Sequence, residues 1–325
     1  MTLNIVLLIV GLLLILGGAN YMTDGAAALA KRMGMSDFLV GLTIVSMMTS
    51  APELVVSITS AVNASTEMAI GNIVGSNIFN ILVIIGICAM IKPIKVTSGI
   101  MVNEIPLVIL SSVVLLVMGC APFLDGFPME LTRVDGLLLL LFFLVFMRYT
   151  FASAKKAPAS DPVSQDGSRT KPLPLWKTLC FIFGGFAGLV FGGQWFVDGA
   201  SGVARSLGWS DGLIGLTILA AGTSLPELAT SAVAAARGFP GICLGNVIGS
   251  NIFNIFFVLG CTATVMPLQF GNINIVDLIV LAAASVLLWL AGWFFGKRTI
   301  TRGEGFCFVM LYIAYIVYLY LNLPA

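Results

Sequence analysis

Apolar residues run through this chain in ten stretches of roughly 20 or more, the length a helix needs to cross a bilayer. They predict spanning helices over about 3–31, 36–63, 67–91, 98–120, 130–151, 174–207, 211–237, 240–266, 272–296 and 304–323. The first starts as a compact apolar run from Asn4 to Leu16 but has no basic segment before it and continues to Lys31, so it reads as a span and not as a signal peptide. One polar stretch, 152–173, is rich in Ser, Pro, Asp and Lys and reads as a flexible connector without a fold of its own. It separates a five-helix half over 1–151 from a second over 174–325.

The two halves repeat each other. Thr49 and Thr223, Asn80 and Asn254, Asp24 and Asp198, Asp37 and Asp211, and Pro93 and Pro267 all keep the same separation along the chain, so one gapless register covers at least 24–93. Between 41–80 and 215–254 there are 19 identities in 40 pairs, clustered in the polar motifs while the apolar filler drifts. Shared hydrophobicity alone would place them the other way round. Five spans per half is an odd number, so the second half must enter the membrane from the opposite face. The expected fold is therefore all-α and integral to the membrane, with ten transmembrane helices arranged as two inverted repeats, an architecture of secondary transporters.

Composition agrees: 59% of residues are hydrophobic, 10% are charged and the mean hydropathy is +1.06. A net charge of +1 without a basic patch argues against nucleic acid as a partner. The chain has no histidine, which removes hydrolase relays built on it, and its six cysteines are scattered singly through apolar segments. With the predicted spans, 14 of the 16 Lys and Arg residues fall on one side; only Arg133 and Arg205 fall on the other. The positive-inside rule then puts the connector in the cytoplasm and both termini outside.

Against this apolar background the repeated polar motifs stand out. The first copy reads Gly41-Leu42-Thr43-Ile44, Thr49-Ser50-Ala51-Pro52-Glu53 and Gly71-Asn72 with Gly75-Ser76-Asn77-Ile78-Phe79-Asn80; the second reads Gly215-Leu216-Thr217-Ile218, Thr223-Ser224-Leu225-Pro226-Glu227 and Gly245-Asn246 with Gly249-Ser250-Asn251-Ile252-Phe253-Asn254. A mid-membrane carboxylate costs several kcal/mol unless a partner compensates it, and a cation is the natural partner. Thr49 and Glu53 share a helix face, as do Ser76 and Asn80, and the second copy repeats both pairs. Together Glu53, Glu227, Thr49, Thr223, Ser50, Ser224, Ser76, Ser250, Asn80 and Asn254 offer four carboxylate oxygens, six hydroxyls and two amide carbonyls. Such hard oxygen ligands suit Ca2+ and Na+ and disfavour Zn2+ or Cu. Pro52 and Pro226 have no N–H for the carbonyls of Met48 and Gly222, which predicts a kink and a free carbonyl one turn before each Glu. The Gly71/Gly75 and Gly245/Gly249 steps predict close packing of helices 3 and 8 against helices 2 and 7.

These doubled motifs, GLTI with TSAPEL and GNIVGSNIFN, then GLTI with TSLPEL and GNVIGSNIFN, resemble the two alpha-repeats of the cation/Ca2+ antiporter superfamily, in particular its prokaryotic Na+/Ca2+ exchangers. The resemblance implies that Glu53 and Glu227, assisted by Thr49 and Thr223, are central Ca2+ ligands. It further implies that Ser50, Ser224, Ser76, Ser250, Asn80 and Asn254 complete flanking Na+ sites, and that helices 1 and 6 slide as a pair across a fixed core. Gly11, Gly17, Gly18, Gly184, Gly185, Gly188, Gly192 and Gly193 are read as giving that pair smooth faces. Two positions depart from the family: Met48 stands where a glycine is usual, and Asn254 where K+-dependent members carry Asp, which argues against K+ co-transport.

The expectation is a secondary antiporter, not an enzyme, that exchanges Na+ for Ca2+ across the cytoplasmic (inner) membrane by alternating access and exports Ca2+. It needs no cofactor, and its partners are the transported ions and the lipid bilayer, with a monomer as the starting assumption. The alternative on the same fold couples Ca2+, or another cation, to H+, because buried carboxylates can carry protons.

Overall fold

The computed structural model describes residues 1–120, 126, 129–154, 173–207, 220–271, 273–294 and 298–322. In chain order the helices are α1 (Thr2–Met33), α2 (Asp37–Val62), α3 (Thr66–Ile91), α4 (Ile100–Gly119), α5 (Arg133–Ala154), α6 (Leu175–Ser206), the shorter α7 (Leu225–Ala236), α8 (Pro240–Val265), α9 (Ile275–Phe294) and α10 (Arg302–Asn322). Among the described residues, nine of them, all but α7, are long and apolar enough to cross a membrane. The predicted span 211–237 is described only from Ala220 onward, so Gly215 to Ile218 lie outside the described residues, as does most of the 152–173 connector.

Burial sets the layers. In α8 every residue from Pro240 to Ile252 is buried, and α3 is nearly as enclosed, so these two helices form the centre of the bundle. The outer helices turn large apolar side chains outward, Leu13 of α1, Phe183 of α6 and Tyr320 of α10 among them, where lipid tails replace water as solvent.

Two short antiparallel ribbons tie the halves together. Strand β1 (Ile94–Lys95) pairs with β4 (Thr299–Ile300), and β2 (Glu130–Leu131) pairs with β3 (Leu268–Gln269). β1 and β3 each follow a proline, Pro93 or Pro267, and occupy matching positions in the two repeats, so each half lends one equivalent strand to the other. The repeat reaches backbone detail as well. The turn after α2 puts Ala64 at φ 61°, and the turn after α7 puts Gly238, its counterpart in the second repeat, at φ 84°; only the second copy uses the residue for which that region costs little.

Glycine governs how α1 meets α6. Gly11, Gly18 and Gly25 in α1 recur every seven residues, and their repeat counterparts Gly185, Gly192 and Gly199 do the same in α6. A Cβ on Gly18 would come 2.7 Å from the Gly185 carbonyl oxygen, and one on Gly185 would come 2.6 Å from the Met22 nitrogen. The two backbones are therefore in contact along a seam with the seven-residue spacing of a coiled coil. This corrects the expectation drawn from glycine content: Gly11, Gly18, Gly185, Gly188 and Gly192 face the partner helix and not the core. They fasten α1 and α6 into one unit.

A second close crossing joins the halves. A Cβ on Gly41 would lie 2.5 Å from the Ile242 carbonyl oxygen, and the backbone around Gly245 and Gly249 is pressed against Phe38 to Ser46 of α2. The Gly245/Gly249 step thus packs across the repeats, against the first half of α2. The segment equivalent by repeat to that half, 208–219, falls outside the described residues.

Candidate cation site

The proline before each glutamate does more than kink its helix. α2 is interrupted at Ser50, whose φ of −87° and ψ of 6° leave helical geometry, and a new helical segment starts at Ala51 with Pro52 in its first turn. The second copy does the same at Ser224, with φ −89° and ψ 4°, ahead of α7 and Pro226. Proline suits the first turn because its missing N–H would have no helical partner there. Glu53 and Glu227 consequently occupy first turns of new helical segments and not the middle of continuous ones. There the helix dipole favours negative charge by about 0.3–1 kcal/mol.

Both glutamates are 0% exposed, and Thr49, Ser50, Ser76, Ser224, Ser250, Asn80 and Asn254 are buried with them; Thr223 is half-buried. The two halves of the site interlock. Ser50 Oγ donates to Glu227 Oε1 at 2.9 Å. Thr49 Oγ1 donates to Asn246 Oδ1 at 3.1 Å, and Thr223 Oγ1 to Asn72 Oδ1 at 3.2 Å, so each threonine is held by the opposite repeat. The Glu53 and Glu227 carboxylates are near enough to interact electrostatically.

What lacks a partner is more telling. Among the described residues both carboxylate oxygens of Glu53, Oε2 of Glu227, the hydroxyls of Ser76, Ser224 and Ser250, both amide atoms of Asn80 and Oδ1 of Asn254 are buried without a hydrogen bond. Several other membrane hydroxyls satisfy themselves on their own helix: Thr23, Thr43 and Ser46 donate to the carbonyls of Ala19, Leu39 and Leu42 at 2.8, 2.8 and 2.7 Å. Ser76 and Ser250 do not, and Thr150, Ser201 and Thr230 outside the motifs also lack a partner among the described residues. An unpaired buried polar atom costs roughly 1–3 kcal/mol, more when charged, so a cluster of such oxygens is one that a bound cation would stabilise. No group of three or more His, Cys, Asp or Glu side chains assembles among the described residues. Two carboxylates with neutral oxygens form a donor set for hard cations.

Local backbone aims the asparagines. Asn80 opens a π-helical turn over Asn80–Ile84, and Asn254 lies in another over Phe253–Leu259, at the same place in both repeats. Such turns widen a helix and re-direct side chains, often at functional sites. Asn254 Nδ2 donates to Asn77 Oδ1 at 3.0 Å, and Asn77 Nδ2 to the Asn251 carbonyl at 3.2 Å, which leaves the Asn254 carbonyl oxygen free.

Beside the site lies a cavity of about 520 Å3, bounded by α6 residues including Gln194 and Asp198 and by Pro52, Thr223 and Pro226 of the site segments.

The family described as sodium/calcium exchanger protein matches residues 3–152 and 177–321. The chain belongs to the sodium/calcium exchanger family. It is 39% identical over 317 residues to the putative antiporter CaxA of Alkalimonas amylolytica, spanning 95% of this chain and 96% of that one. It is 31% identical over 356 residues to the sodium/calcium exchanger MaX1 of Methanosarcina acetivorans, spanning 98% and 99%. The structure of the sodium-calcium exchanger NCX_Mj superposes with a TM-score of 0.83 at 31% identity, over 99% of both chains. The protein is thus a multi-pass membrane antiporter of a family of exchangers.

In this exchanger Asn72 and Asn246 carry more of the site than their place in the motif suggested. Asn246 Nδ2 donates to Ser231 Oγ at 2.9 Å and points at the Glu227 carbonyl at 3.5 Å, while its Oδ1 accepts the hydrogen bond of the Thr49 hydroxyl. Asn72 repeats the pattern with Ser57 at 3.2 Å, the Glu53 carbonyl at 3.5 Å and Thr223. Each amide ties the glutamate segment of its own repeat to the threonine of the other. Their recurrence in both repeats was visible in the sequence, but the neighbouring glycines gave that stretch its reading as a packing step. Asn246→Ala leaves Thr49 and Ser231 without their partner in a buried site. The expected result is a Ca2+ affinity weakened about tenfold, which is about 1.4 kcal/mol, read from equilibrium binding of radiolabelled Ca2+.

The two half-sites differ at several positions around the break, among them Met48 and Gly222. Gly222 lets Val197 of α6 approach so closely that a Cβ there would lie 2.5 Å from Val197 Cγ2. Its counterpart Met48 is half-buried and packs on the apolar core.

Proposed function

We propose that this exchanger moves Ca2+ out of the cell in exchange for Na+ across the cytoplasmic membrane, through a site built on Glu53 and Glu227. Thr49, Thr223, Ser50, Ser224, Ser76, Ser250, Asn80 and Asn254 supply its remaining oxygens. The observation that carries this reading is the set of buried oxygens without partners, gathered from both repeats around the two carboxylates. With both glutamates ionised the site holds about two negative charges, which one Ca2+ or several Na+ can neutralise, whereas closing it empty would bury unpaired charge. Competition for the same oxygens couples the two fluxes without a covalent step.

Ten spans arranged as inverted repeats are part of this proposal. Their support is the gapless register between the halves, the crossed pairs Thr49 with Asn246 and Thr223 with Asn72, and the exchange of equivalent strands. Alternating access follows from that arrangement, with α1 and α6, fastened along their glycine seam, moving as one unit against the rest. The Lys and Arg asymmetry supports an outside position for both termini. The second reading, H+ in place of Na+, is favoured by the complete burial of two carboxylates that can hold protons.

Binding tests the site before transport does. Radiolabelled Ca2+ bound to the purified exchanger in detergent is expected to be displaced by Na+, with a steeper than hyperbolic dependence because several Na+ replace one Ca2+, and not by K+ at equal ionic strength. Displacement by protons alone, with Na+ inert, would instead support the H+-coupled reading.

A further inference from the structure

The α1–α6 unit meets the rest of the bundle asymmetrically, and the asymmetry falls on residues that repeat. Gly193, Gln194, Val197 and Asp198 of α6 border the open cavity. Their counterparts in the first repeat are Ala19, Asn20, Thr23 and Asp24 of α1. Ala19 and Thr23 are 0% exposed. Asp24 Oδ1 is paired with Nη2 of Arg237 at 2.6 Å, and Nη1 of the same guanidinium donates to the Asn20 carbonyl at 3.3 Å. Arg237 caps the C-terminus of α7, so the pair fastens α1 to the helix that carries Glu227. α1 lies along α7, while α6 stands across the cavity from Ala51 to Val56 of the equivalent segment. The position equivalent to Arg237 is Asn63, which has no charge. The same helix pair is therefore packed down at the Arg237 end and borders a cavity at the Asp198 end, and the Asp24–Arg237 pair has no charged equivalent, because Asn63 stands in the place of Arg237.

We propose that the Asp24–Arg237 ion pair is a latch that holds the Arg237 end of the site closed and biases the exchanger toward the state open beside Asp198. The proposal rests on the alternating-access reading above. In the opposite state α1 withdraws from α7 and α6 closes on the Ala51–Val56 segment. Asp24 then loses its arginine, and Asp198 meets an asparagine that can offer a hydrogen bond but no countercharge. The two states are unequal in energy for that reason alone. The two partners are 33% and 27% exposed, so solvent screens the pair and its contribution is modest. A shift of about fivefold between the states is expected on breaking it, which corresponds to about 1 kcal/mol.

The test uses the full chain with its six natural cysteines replaced and one introduced by Thr23→Cys or Val197→Cys, counterparts on the closed and open ends. The rate of labelling by a small maleimide is read in the membrane. Asp24→Asn or Arg237→Gln is expected to raise the ratio of the labelling rate at position 23 to that at position 197 about fivefold, with the rate rising at 23 and falling at 197. The double variant should go no further than either single one, and the charge exchange Asp24→Arg with Arg237→Asp should restore the original rates. Unchanged rates at both positions would overturn the latch, and so would a rise at both, which is the signature of a loosened fold. Labelling is read without ions or flux, so a parent protein that labels as expected yet fails to exchange Na+ for Ca2+ would count against the proposed function and leave the latch standing.

Discussion

Glu53→Gln and Glu227→Gln are each expected to abolish Na+-driven Ca2+ uptake into proteoliposomes. Glutamine keeps the volume and one acceptor oxygen but removes a charge. Around Glu53 no hydrogen bond among the described residues would replace the lost attraction, since both its carboxylate oxygens lack a partner. With one carboxylate left, a bound Ca2+ carries uncompensated charge in a fully buried site, a cost of several kcal/mol. At about 1.4 kcal/mol per factor of ten, affinity falls by two orders of magnitude or more. The variants should fold normally, because removing a buried charge relieves a cost that the ion-free protein bears. Elution as a symmetric monodisperse peak checks that separately. Full uptake in either variant would remove the glutamates from the site.

The second large effect concerns stability. Gly185→Val is expected to lower the thermal unfolding temperature in detergent by about 10 °C or more, or to prevent accumulation of folded protein. A Cβ at Gly185 would sit 2.6 Å from the Met22 nitrogen and 2.7 Å from the Gly18 carbonyl oxygen, and both obstacles are backbone. Overpacking of side chains costs about 1–3 kcal/mol; here two helix backbones must part along their seam, so the cost exceeds that range. Gly184→Val one residue away is the control, since its Cβ would meet nothing within 4 Å. Equal behaviour of the two variants would contradict the seam.

These positions also mark what the sequence could and could not convey. Nine of the ten predicted spans, the internal repeat and the doubled polar cluster were legible, because a polar cluster in an apolar segment stands out and here it occurs twice. The break at Ser50 and Ser224 was only half legible. Pro52 and Pro226 announced a missing hydrogen bond, but a proline is compatible both with a bent helix and with the first turn of a new one. The direction of the glycine seam was missed for a different reason. The seven-residue spacing of Gly11, Gly18 and Gly25 says that something comes close on one face, and only the bundle tells which neighbour it is. Asp24 illustrates the limit most clearly. It is equivalent to Asp198 in the repeat, yet one pairs with Arg237 and the other borders a cavity. A repeat in sequence fixes which residues are equivalent and not which of two equivalent environments each occupies at a given moment.

The central claim is that two carboxylates and their oxygen shell couple Ca2+ to Na+. It is tested most directly by flux in proteoliposomes holding the purified chain, with one gradient imposed at a time. Vesicles loaded with Na+ and diluted into Na+-free medium at clamped pH are expected to accumulate radiolabelled Ca2+, and vesicles given only a K+ or a pH gradient are expected not to. Accumulation driven by the pH gradient alone, with none driven by Na+, would contradict the account.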